Sequence, residues 1–177
     1  MRLMIQTVTT VIILTITVGA QKSLSDLPAG HAAAIQTFLA QHPGLKFLTE
    51  SAIAEKDLKY MRESFGAKFQ PYYRKGDFNR DGKPDFAVIL VKGGKPKEDK
   101  NLAASHRFRY QVTVVIFNGQ ADDKYHPAFV KQVASAPLVC LLSLSKEKQP
   151  KLYFGVFETD EGFVMIPAGK GYRAKSM

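Results

Sequence analysis

Residues 77–85 gather the side chains best able to do chemistry in this 177-residue chain: Asp77, Phe78, Asn79, Arg80, Asp81, Gly82, Lys83, Pro84 and Asp85. Counted within the loop, Asp77, Asn79, Asp81 and Asp85 occupy positions one, three, five and nine, with Gly82 at six. Alternate side chains of a tightly curled loop converge on one point, and each of these four ends in oxygen. Calcium takes roughly six to eight such oxygens at about 2.4 Å. Glycine at position six tolerates the left-handed backbone that the curl requires. The carbonyl of Lys83 can add one more oxygen without using a side chain. An oxygen set lacking His and Cys favours Ca²⁺ over zinc or copper. The same residue types also favour a metal-free turn, through hydrogen bonds to their own backbone. Arg80 and Lys83 reduce the negative charge of the loop.

The stretch resembles the aspartate-rich calcium loop of integrin-type FG-GAP and VCBS repeats, which joins two strands of a propeller blade. Gly76 ahead of the loop and Phe86, Ala87 and Val88 behind it fit the same pattern. The resemblance implies ligands at Asp77, Asn79, Asp81 and Asp85, with Lys83 contributing through its backbone, and an ion that is structural rather than catalytic. A propeller needs several blades, and the chain holds one copy of the loop, so the resemblance stops at the loop. An EF-hand is a poorer match, because Val88 stands at position twelve, where a bidentate Glu would be required. Affinity on the order of 10⁻⁴ to 10⁻³ M is expected, as in extracellular modules.

The remaining candidates have less to offer. Cys140 lies among Leu138, Val139, Leu141 and Leu142. A nucleophilic thiolate needs a basic, partly exposed setting, so this Cys reads as core. His106 and His126 stand alone, without metal-ligand spacing, and read as surface or turn residues. Asp122 with Asp123 and Asp160 with Glu161 are paired acids, the raw material of acid–base chemistry, but both pairs fall in expected turns, where acids are ordinarily solvated. No serine-hydrolase elbow, S-x-x-K, P-loop or dinucleotide fingerprint is present. Basic residues collect at Lys92, Lys95, Lys97, Lys100, Arg107 and Arg109, and again at Lys170, Arg173 and Lys175 beside Tyr172. Tyr72 and Tyr73, next to Arg74 and Lys75, could line a sugar or peptide surface or cover a helix.

The elements that must position these residues divide into a helical front and a strand-rich back. Ile35, Phe38 and Leu39 predict a helix over Ala32–Gln41, stopped by Pro43 and Gly44. Ala54, Leu58, Met61 and Phe65 predict a second helix with one apolar face, ended by Gly66 at positive φ. The continuous apolar run from Phe86 to Val91 predicts a central strand. Phe108 to Ile116 alternates and predicts a strand buried on one face, and Asn118-Gly119 after it predicts a hairpin. Phe129–Val133, with Pro127 ahead of it, predicts a short edge strand. Leu138–Leu144, Leu152–Glu158 and Phe163–Ile166 predict three more strands, separated by turns at Lys146–Lys151 and Thr159–Gly162. Lys92–Arg107 reads as a long loop. The class expected is α+β, with two N-terminal helices packed on an antiparallel sheet of about five to six strands.

Composition fixes the setting. The chain is 45% hydrophobic and 23% charged, which excludes a disordered or collagen-like protein. A single Cys excludes a disulfide scaffold and a Cys-rich zinc module. Arg2, the apolar stretch from Leu3 to Val18 and the small residues Gly19 and Ala20 form a secretory signal. Cleavage is expected after Ala20, leaving 21–177 as a single domain with no spanning segment. Loss of Arg2 takes the formal charge from +9 to +8. A basic exported protein is suited to an anionic polymer or envelope component, and nucleic acid is not an expected partner. A binding or structural role at the cell envelope or outside the cell follows. The alternative is an enzyme, or an enzyme inhibitor, directed at cell-wall polymer.

Overall fold

The computed structural model describes residues 23–177, and the expected signal segment lies outside the described residues. Helix α1 spans Ala29–Gln41, followed by strand β1 (Leu45–Phe47), helix α2 (Glu55–Phe65) and strands β2 (Tyr73–Gly76), β3 (Asp85–Lys92) and β4 (Lys97–Glu98). A single-turn α3 (Ala104–Arg107) leads into the long strands β5 (Phe108–Gly119) and β6 (Tyr125–Pro137). The chain ends in β7 (Cys140–Leu144), β8 (Leu152–Val156), β9 (Gly162–Ala168) and β10 (Gly171–Ser176). The class is α+β. The strands form two antiparallel sheets, one of six strands built around β3 and β5, the other a four-stranded meander from β7 to β10.

The run from Phe86 to Leu90 is fully buried because β3 is covered on both faces. Phe86, Val88 and Leu90 share one core with Val115, Phe117 and the α1 residues Ile35 and Phe38. Ala87 and Ile89 share the other with Val114, Ile116, Met61 of α2 and the second-sheet residues Leu142, Phe154 and Met165. Each large apolar side chain so buried stabilises the fold by about 1.5–3 kcal/mol. The molecule therefore has two cores, one on each side of the first sheet.

Several sequence expectations change at this level. β5 is buried on both faces from Val112 onward, because Thr113, Val115 and Phe117 turn toward the α1 core. Asn118 and Gly119 remain in the β5–β6 ladder, opposite His126 and Tyr125, and the turn falls at Ala121–Asp123. Asp122 and Asp123 provide its left-handed residues, with φ of 59° and 51°. The expected edge strand extends to the full length of β6 and carries Pro127 within it, next to a register shift. The expected loop 92–107 contains β4 and α3. The second basic cluster, for which no strand was expected, lies on and beside β10 at Gly171–Ser176. The expected face of α2 is interrupted at its end, since Met61 is fully buried while Phe65 is 45% exposed.

Candidate functional site

The loop at 77–84 is the turn of a hairpin. β2 and β3 pair antiparallel, Lys75 opposite Phe86 and Gly76 opposite Asp85, so the ladder runs up to both ends of the loop. The close approach needs glycine at 76, where a Cβ would meet the Phe78 ring at 2.7 Å. Arg80 and Gly82 both take positive φ, 66° and 81°, and the curl these impose points the acidic side chains inward.

Those side chains are held by the backbone they surround. Asp77 Oδ1 accepts the Asp81 N–H at 3.1 Å, and its Oδ2 accepts the Gly82 N–H at 2.9 Å. Asn79 Oδ1 accepts the same Asp81 N–H at 3.0 Å. Asp81 Oδ1 accepts from Lys83 N–H at 2.9 Å and its Oδ2 from the Asn79 side-chain amide at 3.1 Å. Each of these oxygens takes one hydrogen bond and has two lone pairs, so each retains acceptor capacity. The donor set consists of hard oxygens and fits calcium in kind: two carboxylates, one amide and the Lys83 carbonyl. No group of three His, Cys, Asp or Glu side chains among the described residues comes together to hold a metal.

Asp85 sits apart from its predicted companions. It is fully buried, whereas Asp77 and Asp81 are exposed. Its Oδ2 accepts the Phe78 N–H at 2.9 Å, the Asn79 N–H at 3.3 Å and the Tyr172 hydroxyl at 3.2 Å. Its Oδ1 accepts the Gly119 N–H at 3.0 Å. Burial pushes the Asp85 carboxyl up from its ordinary value, and the donors around it pull part of that shift back. The same hydroxyl lies 2.9 Å from Asn118 Oδ1, so its single proton is shared between the two acceptors. Sequence reasoning missed Tyr172 and Asn118 as partners of the loop. The available signal was the alternation of Tyr172 and Ala174 with Arg173 and Lys175, which marks a strand. Asn79, Asp81 and Lys83 of the loop also border a cleft of about 330 Å³ with Asn118, His126 and Lys170.

The other candidates are dispersed. Cys140 is fully buried and its thiol is pushed up to about 12 by burial, which leaves it inert as a nucleophile. Tyr72 and Tyr73 are buried and line no surface: Tyr72 donates to the Leu138 carbonyl, and the Tyr73 hydroxyl lies 2.7 Å from His31 Nδ1. His106 Nε2 is 2.9 Å from the Phe157 carbonyl oxygen. Arg109 leaves the basic cluster to pair with Glu161 at 2.6 Å, which holds that carboxyl below its usual range. Lys92 at the end of β3, Lys97 in β4, and Lys95 and Lys100 beside them remain exposed, as do Arg173 and Lys175 on β10.

Fold and loop together define an α+β domain with an oxygen-rich hairpin turn. No family model, curated protein or solved structure matches the chain. Among the described residues no helix is long and apolar enough to cross a membrane.

Proposed function

We propose that this chain is an exported domain whose 77–85 loop takes one structural Ca²⁺ ion, with a binding role at the cell envelope or outside the cell. The observation that supports the reading most is the inward set of the Asp77, Asn79 and Asp81 oxygens, each with acceptor capacity left. Together with the Lys83 carbonyl they would hold the ion. Asp85, the fifth residue of the expected ligand set, holds the frame by tying both ends of the loop to β5 and β10. The ion would supply charge compensation for Asp77 and Asp81 and fix the β2–β3 junction. Arg80 and Lys83 beside it keep the affinity low. The exposed lysines of residues 92–100 and the cations of β10 suit an anionic envelope polymer.

The test is calorimetry and thermal unfolding on protein recovered after export, whose first residue should be Gln21. Calcium at ~10 Kd should stabilise the wild type by about 1.4 kcal/mol relative to EDTA. Magnesium should do much less, since it demands a smaller octahedral shell and holds its water. Asp81→Ala should lose most of the calcium effect. Identical melting of wild type and Asp81→Ala in both buffers would reduce the loop to a turn and end the proposal.

A further inference from the structure

A second region has no part in the loop. Beyond the C-terminal end of α2 the chain passes Gly66, with φ of 105°, and folds Phe69 back beneath Phe65. The Phe65 and Phe69 rings stack at 4.5 Å, and the Arg74 guanidinium of β2 lies over the Phe69 ring at 4.0 Å. These groups, with Lys68 and with Ser143 and Leu144 of β7, line a cleft of about 550 Å³ where the two sheets meet. That volume lies within the range of small-molecule sites, roughly 300–1,000 Å³.

Arg74 is the unusual member. Among the described residues its one hydrogen bond goes to the Tyr73 carbonyl at 3.2 Å, and it forms no ion pair with any described acid. Arg74 is half-buried, and partial burial lowers its guanidinium to about 10. With one face against Phe69, the guanidinium offers its in-plane N–H edge, a fork matched to a planar two-oxygen acceptor. Lys68 adds a second positive charge at the mouth. The 45% exposed Phe65 and the side chain of Leu144 give an apolar wall beside that edge.

We infer that this cleft binds a small hydrophobic carboxylate, its carboxylate paired with Arg74 and its apolar body against Phe65 and Leu144. The site stands independently of the calcium loop. The probe is 2-naphthoate, titrated into the whole protein by calorimetry at about 0.15 M salt, with 2-naphthalenemethanol as its neutral counterpart. The naphthoate should bind about tenfold more tightly than the alcohol, and Arg74→Gln should weaken it by about tenfold. Arg74→Lys should recover only part of that loss, because an ammonium cannot make the bidentate contact. Phe65→Ser removes a half-exposed ring on the rim and should also weaken binding, while the loss of its stack on Phe69 lowers stability only modestly and leaves the protein folded. It decides the matter if Arg74→Gln does not fold. Equal binding of acid and alcohol, or of wild type and Phe65→Ser, would overturn the assignment. So would displacement of the naphthoate by equimolar inorganic phosphate, which would mean that the cleft reads charge alone.

Discussion

Removing the Asp85 carboxylate would strand the N–H groups of Phe78, Asn79 and Gly119, which have that side chain as their acceptor. Each buried donor left without a partner costs about 1–3 kcal/mol. Asp85→Ala should therefore destabilise the protein by about 3 kcal/mol or more, in EDTA and in calcium alike. Asp81→Ala should differ from wild type mainly when calcium is present. Denaturant unfolding of the two variants in both buffers separates a residue that frames the loop from one that faces the ion. Equal losses in all conditions would merge the two roles. The spacing of the acids was legible in the sequence, but the division of labour among them was not. What sets Asp85 apart is burial by β5 and β10, and those contacts come from residues far along the chain.

At the level of elements, the loop is locked from outside by β5. A Cβ at Gly119 would stand 2.2 Å from the Pro84 carbonyl oxygen, a backbone group with little freedom to retreat. Gly119→Ala should push Pro84 and the loop outward at a cost of about 2–3 kcal/mol, in line with other overpacked sites. Urea denaturation checks this, and a wild-type midpoint would show that the hairpin turn can yield. The sequence marked Gly119 for a different reason, as half of an Asn-Gly turn. The strand partners were right, but the chain carries the ladder past Gly119 and turns on Asp122 and Asp123 instead. Phe86–Val91 was legible because a strand covered on both faces must be apolar throughout. β2 was hidden, since Tyr73, Arg74, Lys75 and Gly76 show little alternation and their pairing is imposed by the loop they lead into. Three strands of the second sheet, β7 to β9, were legible, and β10 was not. The separation of that sheet from the first depends on contacts between cores, which no local pattern records.

Helix α1 closes one of the two cores by packing on β3 and β5 of the first sheet. His31 is 5% exposed, stacked on Phe86 at 4.1 Å, edge-on to Tyr125 at 4.6 Å and bonded to the Tyr73 hydroxyl at 2.7 Å. Burial lowers its imidazole from 6.5, nearby Lys75 adds to the shift, and Asp123 opposes it. The folded protein thus holds His31 neutral where the unfolded chain would protonate it. Below about pH 6.5 the unfolded state binds more protons, so stability is full above that value and declines as pH falls through the lowered folded value. Urea midpoints should therefore drop between pH 8 and pH 5, and His31→Phe should flatten the slope. If His31→Phe follows the wild-type slope, the loss arises elsewhere and α1 is not the acid-sensitive element.

Tyr172 reaches Asp85 across 87 residues of sequence. Synthesis runs from the amino end, so the acids of the hairpin turn emerge long before the hydroxyl that completes their frame. Until Tyr172 has been made, the turn lacks its closing partner. The frame around Asp85 is therefore complete only once β10 has paired with β9 and brought Tyr172 to it.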